Sequence, residues 1–217
     1  MNAKKHPGEP NFAGTISDTY QTSTPAWPDL PQGLGGANVI TIVFDDMGFS
    51  HPSCFGSSIP TPNIDRLAQN GLRYTGFHTT ALCSPSRASL LTGRNHHSVG
   101  MRGVSNWNTG FPNMRGGITP RAATMAEVLR QQGYATLAAG KWHLAPMEEC
   151  TAAGPHTNWP LQKGFDRFYG FLNGETDQFY PELTQDNQHI LPPRTPEEGY
   201  HLTEDLIDQS TTWIRDL

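Results

Sequence analysis

The run Asn38-Val-Ile-Thr-Ile-Val-Phe44 constrains this chain more than any other stretch. It is short, apolar and β-branched, and it stops at Asp45-Asp46, with Gly48 close behind. A strand buried on both faces has this composition, and such strands belong to parallel sheets covered by helices. A second run, Tyr134 to Gly140, has the same character and leads into Lys141-Trp142-His143. Between them the period changes. Thr61 suits an N-cap, Pro62 the first helical turn, and Ile64, Leu67 and Ala68 a helical stripe closed by Gly71. Cys83 to Gly93 is helix-like, and Thr124 with Glu127 forms a capping-box pattern before Met125, Val128 and Leu129. Leu206, Ile207, Ser210 and Ile214 share a face of a last helix, 203–217. Alternating strands and helices predict an α/β fold with a mainly parallel sheet flanked by helices.

The stretch 72–80 alternates like a further strand, and the aromatic stretch 164–174 reads as a strand or turn. Residues 95–120 read as a long loop, and residues 175–198 as irregular. Residues 1–36 are rich in Pro, Gly, Ser and Thr, without period. They are expected to form a flexible N-terminal arm, with one catalytic-type unit over 37–217.

Composition removes several function classes. A net charge of −5 argues against a broad nucleic-acid surface. No apolar run approaches the roughly 20 residues that span a bilayer. The first residues lack the apolar centre of a secretory signal, so a cytoplasmic protein is expected. Three widely spaced cysteines form neither a disulfide framework nor a zinc pattern.

In parallel sheets, ligands gather at the carboxyl ends of strands, which puts Asp45-Asp46 and Lys141 to His143 on one edge. Two adjacent acids are either a solvated turn pair or half of a hard-cation site, because carboxylates side by side repel unless a divalent ion lies between them. Cys83 is either a small buried hydrophobe or a reactive group. It stands at a helix start, where amide donors favour anions, with Arg87 four residues on. Lys141 and His143 are either an exposed loop or cationic clamps. Together these residues describe a pocket for a divalent oxyanion, with a nucleophile and a metal. His96-His97 match no motif, Cys54 and Cys150 read as structural, and Asp65 and Arg66 as a solvated helix face.

Cys83-Ser-Pro-Ser-Arg87-Ala-Ser-Leu-Leu-Thr-Gly93 resembles the first signature of type I sulfatases, formylglycine-dependent members of the alkaline-phosphatase superfamily. Gly133 to His143 resembles their second signature, and VITIVFDDMG and TPNIDRLAQNGLRYT fit the same order. Within that family, the stretches GFDRFYGFLNGETDQFYPEL and PPRTPEEGYHLTEDL look most like bacterial arylsulfatases. The resemblance implies a sulfuric ester hydrolase acting on small-molecule sulfate esters. It implies that a formylglycine-generating enzyme converts Cys83 to a hydrated aldehyde, whose hydroxyls attack sulfur and later expel sulfate. Asp45, Asp46 and the converted Cys83 would bind a divalent cation, Ca2+ by resemblance. Arg87 would hold the formylglycine, Lys141 would contact a sulfate oxygen, and His143 would bond a formylglycine hydroxyl.

Sulfatases are usually more than twice this long, so the resemblance covers the N-terminal part of one. It leaves out a second metal-ligand pair, and Asp186-Asn187 is not assigned to that role. Activity is therefore expected to be impaired. A phosphonate or phosphate ester hydrolase of the same superfold and an inactive remnant are the alternatives.

Overall fold

The computed structural model describes residues 12–27 and 36–217. Its α-helices are α1 (Pro62–Asn70), α2 (Cys83–Thr92), α3 (Met125–Gln131) and α4 (Leu202–Asp216). Its strands are β1 (Leu137–Lys141), β2 (Arg167–Phe171), β3 (Leu183–Gln185) and β4 (Gln188–Ile190). They form one sheet in the order β1-β2-β3-β4. The fold is α/β as the sequence indicates, and the described sheet is mixed: β1 and β2 are parallel, and β2, β3 and β4 pair antiparallel.

β2 sorts the core by alternation, as a pleated strand must. Phe168 faces one cluster with Ala88, Leu91, Val99, Met101, Ile118, Ala126, Trp142, Trp159 and Phe165. Tyr169 and Phe171 face a second, with Leu183, Tyr200, Leu202 and Trp213. The Tyr169 and Tyr200 hydroxyls both donate to Asp205, at 2.7 and 3.0 Å, and tie α4 to the sheet. Burial, then the Asp205 hydrogen bond, raises both phenols above their ordinary value. The loop 95–120 is aperiodic, yet it inserts Val99, Met101, Met114 and Ile118 into the interior.

Several local expectations hold. Thr124 accepts from the Glu127 N–H at 3.1 Å, and the Glu127 carboxylate accepts from the Thr124 N–H at 2.6 Å, which closes the capping box. Gly140 lies opposite Gly170 across β1 and β2. A Cβ on Gly170 would sit 2.0 Å from the Gly140 carbonyl oxygen, so the close approach of these strands requires glycine there.

Others are corrected. The run 38–44 joins no ladder among the described residues, and Val39, Ile40 and Ile42 remain exposed. Burial of such a strand needs hydrogen-bonded neighbours and a covering layer, and the described residues place neither there. The stretch 72–80 likewise forms no strand, and Leu72, Tyr74 and Phe77 are exposed. On α3, Ala126 is buried and Val128 exposed. On α4, Leu202, Leu206 and Trp213 meet the core, while Ile207 and Ile214 face out. The stretch 183–190, expected to be irregular, is a hairpin. Asp186-Asn187 is its two-residue turn, with Asp186 at φ +54.

In the expected arm, Thr15 and Thr24 exchange backbone hydrogen bonds at 2.9 Å around a short turn. Residues 1–11 and 28–35, the rest of that expectation, lie outside the described residues. Among the described residues, no helix is long and apolar enough to cross a membrane.

Candidate active site

Helix α2 starts at Cys83 and ends at Gly93, whose left-handed φ of +63 lets its N–H reach the Ser89 carbonyl at 2.9 Å. Ser84, Ala88 and Leu91 form its buried face. Cys83 and Arg87, four apart, therefore share the neighbouring face, one above the other. The Cys-x-Pro-x-Arg spacing thus places a thiol and a guanidinium together by helix geometry alone.

The strand β1 delivers the second group. Its parallel pairing with β2 continues past Lys141: the Trp142 N–H donates to Phe171 O at 2.9 Å and the His143 N–H to Leu172 O at 3.0 Å. Trp142 turns into the core, edge-on to Phe165 and Phe168, and its indole N–H donates to Asn158 O at 2.7 Å. Lys141 and His143 are left for the site. His143 adopts φ +53, and the Ser105 hydroxyl donates to its carbonyl at 2.6 Å.

The two elements converge. His143 Nδ1 lies 3.1 Å from Cys83 Sγ. The Arg87 guanidinium donates to Lys141 O at 2.6 Å and stands 3.7 Å from Asp45. Lys141 Nζ donates to the other Asp45 oxygen at 2.6 Å. The structure thus brings Cys83, Arg87, Lys141, His143 and Asp45 together from segments up to 96 residues apart. Asp46 adopts φ +53, is exposed, and joins no ion pair among the described residues.

Electrostatics follow from burial beside like charge. Burial first, then Lys141 and Arg87, lowers His143 to about 4, so its imidazole is neutral at pH 7. Burial lowers the Arg87 guanidinium below its ordinary value, against the opposing pull of Asp45 and Cys83. Arg87 Nε is buried and has no hydrogen-bond partner among the described residues.

The fit to a cation is partial. Asp45 and Asp46 have the right chemistry for a hard ion, but Asp45 is capped by Lys141 and Arg87. Among the described residues, no three His, Cys, Asp or Glu side chains converge. These residues fit as two carboxylates of a shell and no more. Asp186 does not join them: it bonds Arg167 at 3.1 Å and the Phe168 N–H at 3.0 Å on the far hairpin.

A cleft of about 620 Å³ opens beside His143, lined by Asn106, Met147, Gly174, Tyr180 and Glu182. Sequence reasoning missed Ser105, Asn106 and Gly174. Ser105 and Asn106 lie in an aperiodic loop and carry no local signal; Gly174, just past β2, offered a weak one. The His96 and His97 rings lie 4.3 Å apart, tilted by 40°, and neither lines this cleft; His96 Nδ1 is 2.8 Å from Met101 O. Asp65 accepts from Ser53 at 2.7 Å and braces the start of α1.

Comparison with known proteins identifies the family. The family model Sulfatase matches residues 37–217. The chain is 32% identical to Arylsulfatase of Klebsiella aerogenes over 82% of its own length and 39% of that protein's. It is 41% identical to human Arylsulfatase A over 78% of its length and 32% of the relative's. The chain therefore spans two fifths or less of these curated relatives. The crystal structure of PsFucS1 sulfatase from Pseudoalteromonas sp. superposes with a TM-score of 0.59 at 25% identity, covering 79% of this chain and 39% of that one. The structure of Ps i-CgsB gives 0.60 at 26%, over 79% and 40%. A family model matched from residue 37 to 217, together with relatives 32% and 41% identical over 82% and 78% of the chain, places this protein in the sulfatase family.

Proposed function

We propose that this chain carries the nucleophile and the sulfate clamps of a sulfuric ester hydrolase of arylsulfatase type. The observation that supports this reading best is the 3.1 Å approach of His143 Nδ1 to Cys83 Sγ, beside the Lys141–Asp45–Arg87 cluster. The Cys83 sulfur marks where the reacting oxygen of the converted residue would stand. Oxidised by a formylglycine-generating enzyme, Cys83 would supply a hydrated aldehyde with one hydroxyl for attack and a second for release of sulfate.

This chain's own residues would do the rest. Lys141 exchanges its contact with Asp45 for a sulfate oxygen and offsets its charge. Arg87 holds residue 83 from the next helical turn and adds a second positive charge. His143, neutral at pH 7, accepts a proton at Nδ1 from an oxygen at residue 83. Asp45 and Asp46 would contribute two carboxylates to a divalent cation, Ca2+ by resemblance, which would polarise the sulfate. Calcium takes about six to eight oxygens, so a tight site needs ligands beyond these two.

The test is chemical. The tryptic peptide Tyr74–Arg87 from a host that converts a control sulfatase is expected to have lost its alkylatable thiol and to react with a hydrazide. An intact, alkylatable Cys83 in that host would remove the formylglycine reading. Side-by-side rates on an aryl sulfate and an aryl phosphonate would then decide between sulfate and phosphonate chemistry.

A further inference from the structure

The His143 ring has one partner at each nitrogen. Nδ1 faces Cys83 Sγ at 3.1 Å, and Nε2 lies 2.6 Å from Asn106 Oδ1. A carboxamide oxygen has lone pairs and no proton, so it only accepts. A contact this short therefore places the hydrogen on Nε2. A neutral imidazole carries one N–H, which leaves Nδ1 bare toward residue 83.

We propose that Asn106 is a positioning residue that fixes His143 in the Nε2–H tautomer, so that Nδ1 is the acceptor for a proton leaving residue 83. Its catalytic meaning rests on the conversion of Cys83 proposed above; the tautomer itself does not.

The neighbouring structure is built to hold this arrangement. Ser105 is buried; its N–H donates to Ser84 Oγ at 3.1 Å and its hydroxyl to His143 O at 2.6 Å. The residue before Asn106 is thus tied both to α2, which carries Cys83, and to the backbone of His143 itself. Just after it, the Trp107 N–H closes a turn onto Val104 O at 3.0 Å. Gly174 also stands beside the His143 ring. A Cβ there would lie 2.7 Å from His143 Cε1 and 2.9 Å from Nε2. A side chain at 174 would collide with the imidazole, so glycine there leaves room for the ring in the position that meets Asn106. When the proton transfers, the O–H bond at residue 83 breaks, its electron pair stays on that oxygen, and an N–H bond forms at Nδ1. The Nε2–H bond to Asn106 persists throughout.

Ring nitrogen NMR of the 15N-labelled chain at pH 7 tests this without any turnover. The expected spectrum has a protonated, pyrrole-like Nε2 and an unprotonated, pyridine-like Nδ1 for His143, assigned by its loss in His143→Gln. Asn106→Asp keeps an acceptor oxygen and is expected to keep that pattern. Asn106→Leu removes it and is expected to raise the Nδ1–H to Nε2–H ratio by about fivefold, the effect of one ordinary hydrogen bond. A wild-type ring protonated at Nδ1, or an Asn106→Leu ratio equal to wild type, overturns the proposal. Should Asn106→Leu fail to fold, the wild-type and Asn106→Asp spectra decide. The mass of the Tyr74–Arg87 peptide reads the conversion of Cys83 separately, so the two readings can fail independently.

Discussion

Replacing Gly170 by alanine is expected to be among the costly single-methyl changes in this fold. The added Cβ would lie 2.0 Å from the Gly140 carbonyl oxygen, 2.7 Å from its carbon and 2.8 Å from its nitrogen. Ordinary contact begins at 3.4 Å, so β1 and β2 must separate by about 1.4 Å at the fourth of their five paired positions. All three obstacles are backbone, and no side chain can rotate away. Overpacking of this kind costs about 1–3 kcal/mol. The hydrogen bonds that flank the site stretch with it, at about 1 kcal/mol each. A total of about 3–5 kcal/mol is a large share of the stability of a typical domain, about 5–15 kcal/mol. Urea unfolding followed by far-ultraviolet circular dichroism is the assay; a fall in midpoint at constant slope measures the loss. Gly93→Ala is the control, because Gly93 has a φ of +63 and a methyl added there meets nothing within 4 Å. It carries backbone strain without a clash, worth about 1–2 kcal/mol. Should Gly170→Ala lose no more than Gly93→Ala, the reasoning about strand approach is wrong. The displaced strand also carries Lys141 and His143, so the His143–Cys83 approach is expected to loosen in parallel.

Three further outcomes are expected. Burial, Glu149 and Glu148 raise the Cys150 thiol to about 11, so it should alkylate far more slowly at pH 8.5 than free cysteine in solution; since its folded value lies above its ordinary 9.0, the stability it contributes is present below pH 9 and is lost as pH rises toward 11, which unfolding midpoints of wild type and Cys150→Ala would show. Lys141→Ala should abolish protection of the chain by inorganic sulfate in thermal unfolding, and an unchanged sulfate effect would remove Lys141 from the anion site. Asp186→Ala should cost about 1–2 kcal/mol by releasing the Phe168 N–H and the Arg167 contact, while leaving calcium titrations unchanged, because Asp186 serves the hairpin turn and not a cation.

Features set within one or two helical turns were legible in the sequence. Cys83 and Arg87 share a helix face because they are four apart. Thr124 and Glu127 cap α3 because they are three apart. Lys141 and His143 flank a buried tryptophan because a strand end alternates. The period of a segment, however, reports only that it is able to be buried. The run 38–44 has the composition of a buried strand and is exposed, because burial depends on a neighbour that periodicity does not supply. Two three-residue strands on either side of Asp186-Asn187 were too short to show any period, and only their pairing reveals the hairpin.

The sequence by itself determined where the candidate groups stand locally: Cys83 and Arg87 on one helix face, and Lys141 and His143 at a strand end; the strand it assigned to Asp45-Asp46 does not form among the described residues. Only the tertiary structure decided how that chemistry is oriented. Asn106 reaches His143 across 37 residues, and Gly174, in the loop after β2, leaves the space that the same ring occupies. Contacts of that separation are made by loop closure and packing, whose free energies depend on the whole fold, and so they leave no pattern in the neighbouring residues.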